Sequence, residues 1–225
     1  MSPGCLAGPG EPLAKHLLEV AQCLEGEKVT DYIACKLARV FNTSVDEAFD
    51  VIVLAGLLHD VGKSHEDYRE SEREGYFPLH EKFSVIFTYH LILTALSDLP
   101  ELSPATMCNL SGENLYTVLL ASVAIHHYAS KPYKSKLNYL QTFRPRCDDY
   151  RSAFEAWRPR SEIGEHLKLH ALDLIGRELE DTECYQTLIN SLDSRVKPKI
   201  LYATSAVLGI LGRCDNLVAS RNRDW

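Results

Sequence analysis

An all-α fold is what this sequence predicts, on three observations. Apolar residues recur at helical spacing along nearly the whole chain, no run alternates apolar and polar residues between hairpin turn signals, and helix-start residues stand ahead of apolar stretches. The periodicity places helices at residues 12 to 24, 28 to 42, 46 to 61, 79 to 98, 113 to 128, 147 to 157, 162 to 178, 181 to 193 and 198 to 222. The third has the clearest start. Thr43 or Ser44 can cap it, and Glu47, three residues beyond Ser44, completes a capping box. Its body, Val51 to Leu58, is apolar on every face, which marks a helix enclosed by the core, and Gly62 marks its end. Pro198 suits the first turn of the last helix. Residues 1 to 11, 64 to 78 and 129 to 146 are expected to be the least regular.

The 225 residues, 45% of them hydrophobic, suffice for one large or two small domains with a full core. Seven cysteines, with no C-x-x-C pair, suggest neither a disulfide framework nor a zinc ribbon; they read as small buried hydrophobes in a reducing cytoplasm. No stretch is apolar and long enough to span a membrane, and Met1-Ser2-Pro3-Gly4 does not open a signal peptide, so a cytoplasmic protein with no membrane partner is expected. A net charge of −7 argues against wrapping of nucleic acid by the whole surface.

The most informative stretch is Leu57-Leu58-His59-Asp60-Val61-Gly62-Lys63, which puts a histidine and an aspartate at the end of an apolar helix. A buried carboxylate needs a cation, either a metal or a basic side chain. Two further features end apolar stretches, the pair His126-His127 and an aspartate, Asp215, in Gly212-Arg213-Cys214-Asp215-Asn216. His166 and His170 have the i, i+4 spacing of two ligands on one helix face but lack a third, while His65 and His90 stand alone.

Taken in order, His16, His59-Asp60, His80, His126-His127 and Asp215 resemble the H…HD…H…H…D pattern of the HD phosphohydrolase superfamily, an all-α helical bundle. The doubled histidine, Lys63, Ser84 and the Asp-x-x-x-x-Ser that ends at Ser220 resemble most the stand-alone HD nuclease subunit of type I CRISPR interference. That resemblance spans residues 16 to 215 and implies a single HD nuclease domain over 1 to 225. It implies two divalent ions, one held by His16, His59, Asp60 and Asp215 and the other by Asp60, His80, His126 and His127, with Asp60 as bridge. Imidazole-rich sets suit Mn²⁺ or another transition ion better than Mg²⁺, which prefers oxygen and water.

Hydrolysis of single-stranded DNA, with RNA left open as a substrate, would then use activated water and no covalent intermediate, with His59, Asp60 and Lys63 at the catalytic centre. Lys63 would hold a phosphate oxygen or Asp60 itself, and Ser220 a water or the nucleic-acid backbone. Adjacent helical residues project about 100° apart, so His126 and His127 can share an ion only if the helix end is distorted. His126 is the first choice as ligand, and His127 is left open between ligand and phosphate contact.

Residues 131 to 160 carry eight basic residues against three acidic ones, with aromatics between them, and read as a family-specific insertion. Lys131, Lys134 and Arg144 would meet phosphates there, and Tyr133, Tyr139, Phe143, Tyr150, Phe154 and Trp157 would offer platforms for the bases of a single strand. No P-loop, dinucleotide fingerprint or G-x-S-x-G is present, so a helicase motor would be a separate chain, acting with the type I interference complex. Two other functions compete: an HD phosphohydrolase of nucleotides or cyclic nucleotides, and a catalytically silent HD scaffold.

Overall fold

The computed structural model describes residues 4–68, 75–97, 104–127, 142–181, 183–192 and 197–223. Its elements in chain order are β1 (Leu6–Gly8), β2 (Glu11–Pro12), α1 (Leu13–Gly26), α2 (Lys28–Phe41), α3 (Val45–Leu58), α4 (His80–Ala95), α5 (Pro104–Cys108) and α6 (Leu115–Ile125). There follow β3 (Thr142–Phe143), α7 (Arg151–Ala156), α8 (Glu162–Leu174), β4 (Leu179–Glu180), α9 (Cys184–Leu192) and α10 (Pro198–Asn222). The fold is all-α, as the periodicity predicts: the strands are two short antiparallel pairs, β1 with β2 and β3 with β4.

Helix α3 is the axis of the assembly. Every residue from Ala48 to Leu58 is buried, and α1, α2, α6, α8 and α10 pack around it. Full burial of an aliphatic side chain such as Leu54 or Leu57 contributes about 1.5–3 kcal/mol. The start is fixed as the capping signal predicts: Ser44 Oγ accepts from Glu47 N at 3.0 Å, and Thr43 Oγ1 donates to the Glu47 carboxylate. Asp50 is buried within this helix because it caps another, accepting from the backbone N–H of Arg160 and of Ser161 at the mouth of α8.

Several predicted boundaries shift. Helix α3 stops at Leu58 and the chain passes through a 3₁₀ turn at Val61–Ser64, so His59 and Asp60 leave the helix. The helix read at 147 to 157 shrinks to α7, and the one read at 162 to 178 ends at Leu174, ahead of a reversal at Gly176 with φ 86° that leads into β4. Residues 6 to 12, read as irregular to 11 and as helix from 12, form a hairpin that turns at Gly10 with φ 72°.

The cysteines overturn their expected role. Cys5–Cys147, Cys23–Cys214 and Cys108–Cys184 are disulfides, and only Cys35, which is exposed, is a free thiol. They join the hairpin to the start of α7, α1 to α10, and α5 to α9. Pairs 76 to 191 positions apart in sequence are thereby closed into loops, each of which stabilises a fold by about 4.5–5 kcal/mol on the chain-entropy argument. The denatured, unreduced protein is therefore expected to titrate one thiol and the reduced protein seven, with a lower melting temperature after reduction. Seven thiols before reduction would show the bridges to be absent. The expectation of a reducing compartment loses its support from unpaired cysteines; intracellular disulfides of this kind are a known exception among hyperthermophiles.

Candidate metal centre

Five elements deliver side chains to one buried point. His16 comes from the second turn of α1, His59 and Asp60 from the end of α3, His80 from the first residue of α4, His126 from just beyond α6, and Asp215 from the middle of α10. Leu79, at φ 63°, turns the chain so that His80 enters α4 facing Asp60. The α-helix ends at Ile125 and both histidines lie in the turn that follows, where His126 keeps helical dihedrals of φ −60° and ψ −24°.

Asp60 divides its two oxygens. Its Oδ2 lies 3.3 Å from His16 Nε2, 3.5 Å from His59 Nε2 and 2.6 Å from Lys63 Nζ, while its Oδ1 lies 3.0 Å from His80 Nε2 and 3.4 Å from His126 Nε2. Asp215 Oδ1 closes the first group, 3.3 Å from His16 Nε2 and 3.8 Å from His59 Nε2. His127 joins the second, its ring 4.2 Å from that of His126 and 5.1 Å from that of His80. In each group, His16, His59, Asp60 and Asp215 or Asp60, His80, His126 and His127, the candidate ligand atoms lie within 4.8 Å of one another.

The hydrogen bonds fix which ring nitrogen faces inward. His59, His80 and His126 each place Nδ1 2.7–2.8 Å from a backbone carbonyl, of Gly56, Phe77 and Val123. An Nδ1–H donated there leaves the Nε2 lone pair pointing at Asp60. Both Asp60 oxygens, His80 Nε2 and His126 Nε2 are buried without a hydrogen bond, and the Lys63 contact is an ion pair. On the Oδ1 side this sets acceptor against acceptor in a dry site, and a cation between them would remove the conflict. Ligand atoms about 2.0–2.2 Å from one ion fall roughly 3.0–3.5 Å apart, the spacing seen around Asp60. The donor set thus fits divalent transition metal.

The electrostatics follow. Burial alone would raise the Asp60 carboxyl, but the Lys63 ammonium, then His59, His126 and His16, hold it well below the usual range. Burial opposes a charge on His16, yet Asp215, Asp60 and Glu11 push its imidazole up to about 10. Burial, then the charges of His126 and His80, drive His127 down to about 2. Burial opposes a charge on His80 as well, yet Glu81 and Asp60 push it up, whereas burial holds His126 down.

Of the two roles open to Lys63, the structure shows contact with Asp60, backed by Ala7 O at 2.9 Å and the Phe77 ring. Ser84 is buried and its Oγ accepts from Gly62 N at 2.9 Å, locking the turn after Asp60 to α4. Ser220 is exposed and its hydroxyl donates to Leu217 O within its own helix. Arg144 is exposed and paired with Glu178 at 2.9 Å and Glu66 at 3.7 Å, while Lys131, Lys134, Tyr133 and Tyr139 lie outside the described residues. Phe143, Tyr150, Phe154 and Trp157 are core residues at 0–2% exposure, so the expectation that they stack bases is corrected. They sit between α4, α7 and α8, where burial of their rings outweighs any gain from presenting them to solvent.

His65 stacks on Phe83 in the core, and His166 Nε2 is 2.8 Å from Ala95 O; neither belongs to a candidate ion group among the described residues. Sequence reasoning missed Glu11, wholly buried with Oε1 2.9 Å from His16 Nδ1. Its signal was an acidic residue five positions before a ligand histidine, in a segment read as irregular.

No curated protein matches the sequence. Among solved structures, the CRISPR-associated Cas3 HD domain protein from Methanocaldococcus jannaschii has a similar fold, with a TM-score of 0.53 at 17% identity over 92% of this chain and 98% of that one. Among the described residues no helix is long and apolar enough to cross a membrane. The profile of the HD domain family matches residues 13–141, more than half of the chain and all of the candidate ligands except Asp215. The chain, which gathers histidines and aspartates around one buried point that could hold metal, belongs to the HD domain family, whose members are metal-dependent hydrolases.

Proposed function

We propose that this chain is a nuclease that hydrolyses phosphodiester bonds of single-stranded DNA in CRISPR interference, as a single HD domain serving a separate helicase chain and a type I interference complex in the cytoplasm. The observation that carries the reading is the division of Asp60, with one oxygen toward His16 and His59 and the other toward His80 and His126. A carboxylate so placed suits two ions side by side, the arrangement used to cleave phosphodiesters. Likeness of fold to the Cas3 HD domain protein supports the CRISPR setting.

His16, His59, Asp60 and Asp215 would hold one ion and Asp60, His80, His126 and His127 the other, with Mn²⁺ or a heavier transition ion preferred to Mg²⁺. Metal held there would supply water activated at neutral pH and would neutralise the phosphate oxygens. Lys63 keeps Asp60 ionised and aimed between the two sets. Asp215, His126 and His127 are the members that are not fully buried, and a phosphate would approach from their side.

Burial of Phe143, Tyr150, Phe154 and Trp157 removes one argument for a strand, and favours as second reading a phosphohydrolase of nucleotides or cyclic nucleotides. Digestion of labelled single-stranded DNA with Mn²⁺, beside nucleotide and cyclic-nucleotide substrates and an Asp60→Ala control, separates the two. Strand cleavage lost in the variant is the expected result. Turnover of small phosphoesters with intact DNA would move the protein to the second reading, and silence on every substrate despite bound metal would leave a scaffold.

A further inference from the structure

The four imidazoles around Asp60 are not held alike. His59, His80 and His126 each lean on a neutral carbonyl three residues earlier in their own backbone. His16 leans on a carboxylate, Glu11, which belongs to a different element, β2. Glu11 is itself tied down: its Oε2 accepts from Arg223 Nε at 2.7 Å and its Oε1 from Asn222 Nδ2 at 3.2 Å. Arg223 also reaches Ala7 O at 3.4 Å, the carbonyl that receives Lys63 Nζ. Helix α10 therefore contributes twice to the same half of the cluster, as Asp215 at the ligand position and, about two turns on, as the Asn222 and Arg223 pair that orients Glu11.

We infer that Glu11 is a positioning residue that makes the His16, His59, Asp60 and Asp215 set the tighter of two ion sites, so that this half fills first. A carboxylate behind Nδ1 fixes the tautomer and makes Nε2 a stronger donor than a carbonyl does, and loss of such a partner typically weakens a metal by about 10- to 100-fold. The ligand count points the same way: this set has two carboxylates, and the other has only the shared Asp60. The conventional reading of Glu11, a buried carboxylate paired with Arg223 to pin the chain ends, explains the arginine but not the placement of Glu11 on His16 Nδ1, where His59, His80 and His126 have a backbone carbonyl.

This inference rests on the two-ion reading above, and the test separates the two. Metal-free full-length protein is titrated with Mn²⁺, following free ion by electron paramagnetic resonance, and with Co²⁺, following d–d absorption. Wild type is expected to show two classes of unequal affinity. Glu11→Gln keeps size and an acceptor but not the charge, and should weaken the tight class by about 10- to 100-fold while leaving the weak class in place. Arg223→Gln, at the solvent edge, should weaken the same class by less. A merely structural Glu11 would weaken both classes together, and that outcome, or no change in either, overturns the inference, as do two classes of equal affinity in wild type. Wild type that takes up no ion removes the two-ion reading and this inference with it, whereas normal uptake with a silent Glu11→Gln removes the inference alone.

Discussion

Replacing Asp60 by alanine is expected to abolish uptake of both ions and all hydrolysis, and also to lower the melting temperature of the metal-free protein by on the order of 10 °C. The first effect follows from geometry, because Asp60 is the one residue common to both candidate ion groups. The second follows from burial. Lys63 Nζ is 2.6 Å from Asp60 Oδ2 with its side chain 7% exposed, so removal of the carboxylate leaves an ammonium in the core with only Ala7 O and the Phe77 ring to receive it. Breaking a buried pair from one side typically costs about 3–5 kcal/mol. His80→Ala provides the contrast, since it removes a ligand from one set only and should spare the ion held by His16, His59 and Asp215. Calorimetric metal titration and thermal melts of both variants decide the matter. An Asp60→Ala protein that binds one ion at wild-type affinity would show that Asp60 does not bridge.

Why some of this site is legible in the sequence and some is not comes down to range. His59-Asp60 could be placed at the end of a buried helix because the apolar run before it and the Ser44 capping box are both local signals. The match of His16, His80, His126 and Asp215 to an ordered pattern rested on resemblance, and the folded chain brings all four to Asp60. Glu11 was invisible because strands of two and three residues have no alternation to detect, and its partners Asn222 and Arg223 lie more than 200 positions away. The disulfides were invisible for the same reason, since pairing depends on Cα separations of 4.9–6.1 Å that only the packed helices create. The described part of the basic-aromatic segment misled because residue type does not say which face is buried: Arg144 and Arg158 hold a carboxylate and a carbonyl at the surface while Phe143, Tyr150, Phe154 and Trp157 fill the core.

The dependence of the site on close packing gives a second large effect, at a residue that carries no chemistry. Gly62 sits where the turn after Asp60 crosses the start of α4, and a Cβ there would overlap His80 O and come within 2.7 Å of Ser84 N and 2.9 Å of Phe83 Cβ. Two of those three atoms are backbone of the helix that carries His80, so no side-chain rotation relieves the clash; α4 and the turn must separate. Separation breaks the Gly62 N to Ser84 Oγ bond and lengthens the 3.0 Å approach of His80 to Asp60. Gly62→Ala is therefore expected to cost about 3 kcal/mol or more, at the upper end for overpacking, and to weaken the ion held by His80 and His126 more than the one held by His16 and Asp215. Gly209→Ala, on α10 with open space beside it, is the matched control and should melt close to wild type. Denaturant unfolding of the two variants with and without Mn²⁺ measures both effects. A Gly62→Ala protein as stable as the Gly209→Ala control would mean that the turn and α4 are not packed as tightly as these contacts require, and that the position of His80 is set elsewhere.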